Sequence, residues 1–420
     1  MKKQFFGGVA FGVIFTITLT LVLLFGLVGK ARMRLALGLD PTETRTVNSS
    51  KSDTASPSAM TSLSTKDIST KLTGLEQIID TYYLNDIDYN TMTEYIYKGA
   101  LASLGDPYSV YYTKEEFDSF NEQTTGNYCG IGVSVNENAS TGAVTVVQVF
   151  KDGAGAKAGF RSGDIIYKVD GEEVTGQDLS TVVSKIKGEE GTTVNITILR
   201  GSDTFTKTLT RATVTIDTVS SEMLDNNIGY IKVNEFDEVT ATQFDEAIDD
   251  LEKQGEKGLI IDLRDNPGGR YDIVCEMLDR MLPKGKLLVY TMDKYGTKEE
   301  QKSTDSDEFT KPLAVLVNGN SASASEIFSG AVKDYGIGTL VGTTTFGKGI
   351  VQQILPLNDG SAVKLTVSKY YTPSGKNIHG TGIEPDVRVE LNDDAVENGQ
   401  YVKEKDNQLK KAVEIIKGKM

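Results

Sequence analysis

The run Asn318-Gly319-Asn320-Ser321-Ala322-Ser323-Ala324-Ser325-Glu326 sets three serines at alternate positions of one turn. Further on, Thr345-Phe346-Gly347-Lys348-Gly349-Ile350-Val351-Gln352 sets a lysine and a glutamine four residues apart. A serine hydroxyl is a poor nucleophile until a neighbouring base takes its proton. The usual base is histidine, but the 420 residues hold a single one, His379, in a glycine-rich turn that suits a surface or packing role. The pattern therefore points to lysine as the base, a known variant of triad logic, and to acyl transfer through an oxyanion. Such a lysine must be neutral. Bringing it from about 10.4 to about 7 disfavours the charged form by roughly 4 kcal/mol, which desolvation can supply. Phe346, Ile350, Val351 and Ile354 provide apolar neighbours. If Gly349 to Leu355 is a strand, Lys348, Ile350 and Gln352 share a face, and Gln352 can orient the lysine. The residues alone do not choose among Ser321, Ser323 and Ser325.

A second turn, Asp265-Asn266-Pro267-Gly268-Gly269, follows the short apolar run Leu259–Arg264, as the serine turn follows Leu313–Val317. Each leads into a helical pattern: Ile273, Val274, Met277, Leu278, Met281 and Leu282 after one, and Ile327, Phe328, Ala331, Val332 and Tyr335 after the other. Helix N-termini present unsatisfied N–H donors that favour an anion. Glycines at 268 and 269 let a backbone approach a substrate closely. With the amide that follows the nucleophile, they form a candidate oxyanion hole. Strand, turn and helix, twice over, with functional groups at strand ends, describe an α/β layer. Its other elements are a strand at Ile228–Val233, a charged helix at Thr242–Lys253 and a terminal helix at Asn407–Lys417.

Upstream, Phe5–Val28 is an uncharged apolar stretch of 24 residues, enough to cross ~30 Å of hydrocarbon as a helix. Lys2 and Lys3 precede it, Lys30, Arg32 and Arg34 follow it, and no Ala-x-Ala site is present. The reading is an uncleaved anchor with the bulk of the chain outside the cytoplasm. A Ser/Thr-rich tether comes next, then an amphipathic stripe (Leu72, Leu75, Ile78, Ile79, Tyr82) and a second helix starting at a Thr91-x-x-Glu94 capping box.

From Cys129 the pattern changes to alternation and glycine. Gly130–Val135 and Val144–Val149 read as strands, Leu179, Val182, Val183 and Ile186 as one face of a short helix, and Val194–Leu199 as a closing strand.

A net charge of −15 without a basic stripe argues against nucleic-acid binding. Cys129 and Cys275 are far apart and read as free thiols, and one histidine with two distant cysteines cannot build a usual zinc site. No metal and no cofactor are expected.

Residues 125–214 resemble a PDZ domain of the permuted bacterial type, on the glycine loop Gly130-Ile131-Gly132-Val133 and on Ala158-Gly159-Phe160-Arg161-Ser162-Gly163-Asp164-Ile165-Ile166. The resemblance implies a groove in which the loop holds a peptide's terminal carboxylate and Leu179, Val182, Val183 and Ile186 form a pocket wall.

The serine cluster, Phe346-Gly347-Lys348-Gly349-x-x-Gln352, Asp106-Pro107-Tyr108, Asp262-Leu263-Arg264-x-Asn266-Pro267-Gly268-Gly269 and Gly380-Thr381-Gly382-Ile383-Glu384-Pro385-Asp386 together resemble the carboxyl-terminal processing peptidases, or tail-specific proteases. The resemblance spans about residues 75–388 and makes Ser323 the nucleophile, Lys348 the base and Gln352 the third member, with Ala324 beside Gly268 and Gly269 in the oxyanion hole. It implies a ClpP/crotonase-like α/β serine-protease core with the PDZ module inserted ahead of it. Asp265 stands where the family often has asparagine.

The expected organisation is an anchor (1–34), a linker (35–65), a helical region (66–124), the PDZ module (125–214), the protease core (215–391) and a tail with a helix (392–420). The expected partners are protein or peptide substrates with apolar C-termini, the membrane, and a second copy in a homodimer. A silent peptide-binding scaffold and an acyl-CoA enzyme on a crotonase-like core are the competing readings.

Overall fold

The protein is described by a computed structural model over residues 62–138, 141–305, 308–397 and 400–420. The expected anchor at 5–28 lies outside the described residues, and among those described no helix is long and apolar enough to cross a membrane. The chain divides into two units between Tyr111 and Tyr112.

The first unit carries α1 (Thr65–Tyr82), capped by Ser64, and α2 (Tyr89–Ala102). The cap of α2 is Asp88 rather than Thr91: its carboxylate accepts the amides of Asn90 and Thr91. A carboxylate there satisfies orphan donors and also meets the positive end of the helix. Neither helix fully buries a side chain, and Leu75, Ile78 and Tyr82 of the expected stripe are exposed.

In the second unit, α3 (Lys114–Thr125) ends at Gly126 in the left-handed conformation and leads into the inserted module. This contains β1 (Asn127–Gly130), β2 (Val133–Asn138), β3 (Ala143–Val149), β4 (Ile165–Val169), α4 (Leu179–Ile186), β5 (Thr193–Arg200), β6 (Asp203–Thr210) and β7 (Ala212–Thr215). β2 to β6 form an antiparallel sheet in chain order, so β2 is an edge, while β1 pairs with β7 where the chain enters and leaves. The strand expected at Gly130–Val135 is interrupted at Ile131-Gly132. Gly132 has φ +73, and a Cβ there would lie 2.5 Å from the Gly153 backbone.

The core follows with β8 (Val219–Leu224), β9 (Ile228–Val233), α5 (Thr240–Lys253), β10 (Gly258–Asp262), α6 (Tyr271–Met281), β11 (Leu287–Asp293), β12 (Lys298–Lys302), β13 (Leu313–Val317), α7 (Ala324–Tyr335), β14 (Thr339–Gly342), β15 (Ile350–Pro356), β16 (Ala362–Tyr371), β17 (Val387–Arg388) and α8 (Asn407–Lys417). One sheet runs β8-β9-β10-β13-β14-β17, parallel except for β8. Ile231, Val233, Ile261, Val315 and Val317 pack under α5, α6 and α7. Alternate residues, Ile228, Ile260, Ala314 and Leu316, pack against Leu409, Ala412 and Ile416 of α8. Coverage of both faces is why β10 and β13 read as unbroken apolar runs. A second sheet joins the β15–β16 hairpin to β11 and β12. Both cysteines are free.

Candidate active site

The two glycine-bearing turns leave the C-terminal ends of the adjacent parallel strands β10 and β13. Buried polar groups stitch them together. Asn266, fully buried, donates to the Val233 carbonyl (2.9 Å) and accepts the Gly268 amide (2.8 Å). Its own carbonyl accepts the Ala322 amide (3.0 Å) and the Ser325 hydroxyl (3.0 Å). The Ser321 hydroxyl, also fully buried, donates to the Leu263 carbonyl (2.7 Å) and accepts the Asn318 amide (2.9 Å).

These bonds separate the three serines. Ser321 and Ser325 have no exposed surface, and their hydroxyls are committed to backbone carbonyls. Ser323 is half-buried and has φ 55, ψ −112, a backbone conformation that costs a non-glycine residue on the order of 1–3 kcal/mol. Such strain on a strand-to-helix turn presents a nucleophile at the tip. Gly268 fits against it: a Cβ at 268 would lie 2.7 Å from the Ala322 oxygen and 2.8 Å from the Ser323 Cβ. Gly269 runs beside Phe236, and a Cβ there would lie 2.3 Å from the Phe236 oxygen.

The expected oxyanion trio is reduced by this geometry. The Gly268 amide is already committed to the Asn266 side chain, whereas those of Gly269 and Ala324 have no acceptor among the described residues. Gly268 instead provides the space in which Ser323 sits.

Lys348 lies in the loop before β15, half-buried, and Gln352 lies within β15. The simple alternation expected from Lys348 through Gln352 does not hold. The strand starts at Ile350, and a register shift between Val351 and Gln352 resets the faces. Gln352 donates to the Thr366 hydroxyl (3.1 Å) on β16.

What fixes the lysine loop to the serine is Glu326. Its buried carboxylate accepts the Ser323 amide (2.9 Å) and the Lys348 amide (2.8 Å) on one oxygen. The other oxygen accepts the Gly347 amide (2.7 Å) and the Thr345 hydroxyl (2.6 Å). Burial raises the Glu326 carboxyl above the usual range, and these four donors oppose the rise. The reading of the serines and lysine alone passed over this residue. Its signal was the capping-box spacing Ser323-x-x-Glu326. Tyr370 adds a further contact, donating to the Ser323 carbonyl (3.2 Å). The turn at 380–382 packs on the same loop: Gly380 donates to the Gly347 carbonyl (2.8 Å), and a Cβ at Gly347 would lie 2.9 Å from the Gly382 amide. His379 is exposed, and its backbone amide bonds Asn377 (3.3 Å). Among the described residues no cluster of three His, Cys, Asp or Glu could hold a metal.

In the inserted module, the amides of Ile131 and Gly132 have no acceptor among the described residues, and they lie beside the edge strand β2. The expected pocket wall changes, however. Val182 and Ile186 are buried in the module's own core, as is the Ile131 side chain, because residues four apart on α4 face the sheet. Only Leu179 and Val183, half-buried, remain to line a groove, with Gly130 tied into the β1–β7 pair and Val133 starting β2.

Comparison with known proteins agrees with this anatomy. Residues 227–389 match Peptidase family S41, residues 129–210 a PDZ domain, and residues 29–116 the activating protease CtpB N-terminal domain. The carboxy-terminal processing protease CtpA of Bacillus subtilis is 41% identical over 76% of this chain and 68% of its own length. The corresponding CtpB is 36% identical over 76% of this chain and 67% of its own. Among solved structures, a photosystem II D1 C-terminal processing protease is 31% identical, with 77% of this chain and 88% of that one covered and a TM-score of 0.45. The chain therefore belongs to the carboxyl-terminal processing peptidases of family S41, serine endopeptidases that carry a PDZ domain.

Proposed function

We propose that the enzyme cleaves extracytoplasmic protein substrates that it selects by their C-termini, with Ser323 as nucleophile, Lys348 as base and Gln352 as orienting group. One observation carries the assignment: a single buried carboxylate, Glu326, binds the backbone amides of both Ser323 and Lys348, while the neighbouring serine hydroxyls are committed elsewhere. In this reading neutral Lys348 takes the Ser323 proton as Oγ attacks the scissile carbonyl carbon. The oxyanion develops toward the amides of Ala324 and Gly269. Lys348 returns the proton to the departing amine, and water then releases the acyl group by the same path. Gln352, whose amide donates to Thr366, is assigned the role of orienting the lysine side chain.

Substrate choice is assigned to the PDZ module. Its edge strand can pair with an extended peptide, the amides of Ile131 and Gly132 can receive a terminal carboxylate, and Leu179 and Val183 can receive an apolar last side chain. The apolar run at 5–28 is kept as the membrane anchor, and the exposed Leu75, Ile78 and Tyr82 as the surface of a homodimer.

The test is to incubate the full-length chain with an unfolded protein that ends in a small apolar residue. Cleavage whose rate rises with pH and then levels off supports a lysine base. A scaffold would bind without cleaving, and an acyl-CoA enzyme would turn over thioesters only. An activity maximum below pH 5 contradicts the assignment.

A further inference from the structure

The residue that departs from the family pattern, Asp265, sits at a junction of three segments. Its backbone is left-handed, with φ +62, a conformation that costs a non-glycine residue about 1 kcal/mol or more. Something must hold it, and the contacts are specific. Oδ1 accepts the side-chain amides of Asn318 (2.9 Å) and Asn320 (2.8 Å), both in the nucleophile turn. The Asp265 amide donates back to Asn318 Oδ1 (3.0 Å). Oδ2 accepts the hydroxyl of Tyr401 (2.6 Å), which comes from the C-terminal segment 136 positions away.

Tyr401 is itself clamped. The Arg264 guanidinium lies 3.9 Å from its ring centroid. Arg264, almost wholly buried, pairs with Asp262 (2.6 Å) and Asp406 (2.8 Å) and donates to Gln408 (3.0 Å). Tyr401, Asp406 and Gln408 thus all meet the strand end from which the oxyanion turn departs.

We propose that Tyr401 and Asp265 are positioning residues for catalysis. Through the Tyr401 hydroxyl on the Asp265 carboxylate, the C-terminal segment fixes the spacing between the oxyanion turn and the nucleophile turn. The path is short. Asp265 precedes Asn266, whose carbonyl holds Ala322 and Ser325 on either side of Ser323 and whose side chain holds Gly268 against it. A small shift at 265 therefore changes the distance between Ser323, with its following amide at Ala324, and the donor at Gly269. Such a misplacement lowers the rate of the chemical step and leaves substrate binding alone. The proposal rests on the reading of Ser323 as nucleophile.

The experiment compares full-length wild type with Tyr401→Phe, Asp265→Gly, the double variant, Asp265→Asn and Ser323→Ala, measuring kcat, KM and thermal melting. Glycine is chosen because it tolerates φ +62 while removing the carboxylate. Tyr401→Phe keeps the ring on Arg264, so its melting temperature should stay within about 2 °C, while kcat falls about tenfold and KM changes less than about twofold. Asp265→Gly should lose more, and adding Tyr401→Phe to it should cost clearly less than Tyr401→Phe costs alone, since the bond to Asp265 is then already gone and the Tyr401 hydroxyl keeps only the Asn318 amide (3.3 Å). Asp265→Asn should recover to within about threefold of wild type, because its oxygen still accepts from Asn318 and Asn320 and its amide can donate to Tyr401. A Tyr401→Phe kcat within twofold of wild type overturns the proposal, as do independent, multiplying losses in the double variant. Ser323→Ala separates the two layers. If it is inactive, a failed Tyr401 result defeats only this inference, whereas if it still cleaves, the nucleophile assignment and this inference fall together.

Discussion

Replacing Glu326 by glutamine should disable the enzyme while leaving it folded. The carboxylate accepts four hydrogen bonds, two on each oxygen. An amide offers one oxygen, so two of the four donors must face an NH2 group instead. If the oxygen stays with Thr345 and Gly347, the NH2 confronts the amides of Ser323 and Lys348 and breaks the link between them. If it flips, the NH2 confronts the Gly347 amide and Thr345, whose hydroxyl already accepts the Ile383 amide (2.7 Å). Each hydrogen bond to a charged group is worth about 1.5–3 kcal/mol, so the local loss is roughly 3–6 kcal/mol. Part of this returns at the level of global stability, because burial already penalises the Glu326 charge and glutamine removes that penalty. We therefore expect unfolding free energy to fall by only about 1–3 kcal/mol. Catalysis has no such compensation: about 2.7 kcal/mol of lost alignment is a hundredfold in rate. The assay is steady-state cleavage of an unfolded substrate beside denaturant unfolding of the same preparations. A Glu326→Gln variant within threefold of wild-type kcat/KM would refute the reasoning.

Two further outcomes follow from the structure. Asp237 is buried, and that burial, reinforced by the nearby Glu235 charge and opposed by Arg270, pushes its carboxyl up to about 7. Because this exceeds the ~3.9 of an unfolded aspartate, its stabilising contribution is complete below about pH 4 and is lost as pH rises to about 7. Asp237→Asn should thus be about 1–3 kcal/mol more stable than wild type at pH 8, with the gap closing toward pH 4 in paired melts; a gap independent of pH counts against the assignment. In the PDZ module, a peptide with a free apolar C-terminus should bind at micromolar strength or weaker, and its amidated twin about fivefold less well, by titration calorimetry. Val183→Asp should weaken the free-acid peptide, and equal affinity for acid and amide would remove carboxylate capture from the account.

Much of the core could be read from the sequence because its physics is local. The strands Ile228–Val233 and Leu313–Val317 and the helix Asn407–Lys417 fall at their expected bounds, since two-sided burial leaves a short apolar run and a helix packed on one side leaves a stripe. The strands Asp203–Thr210 and Lys298–Lys302 left no such mark: all their side chains but Leu209 are exposed, so ladder pairing rather than an apolar face holds most of their length. The groove wall was overdrawn because periodicity marks an apolar face without saying whether it meets a ligand or, as for Val182 and Ile186, its own core. In the site, residue types pointed to serine and lysine chemistry but left three serines open, and only the resemblance singled out Ser323. That the hydroxyls of Ser321 and Ser325 are bound to the carbonyls of Leu263 and Asn266, 58 and 59 positions away, leaves no trace in any local pattern. The tie from Tyr401 to Asp265 spans 136 positions, a separation no local pattern encodes.

The most direct test of the central claim is kcat/KM of the full-length chain on an unfolded substrate for Ser323→Ala, Lys348→Ala and His379→Ala, each confirmed folded by its thermal melt. The account predicts that the first two abolish cleavage and that the third, an exposed residue, stays within about threefold of wild type. Retained cleavage in Lys348→Ala, or its loss in His379→Ala, would contradict it.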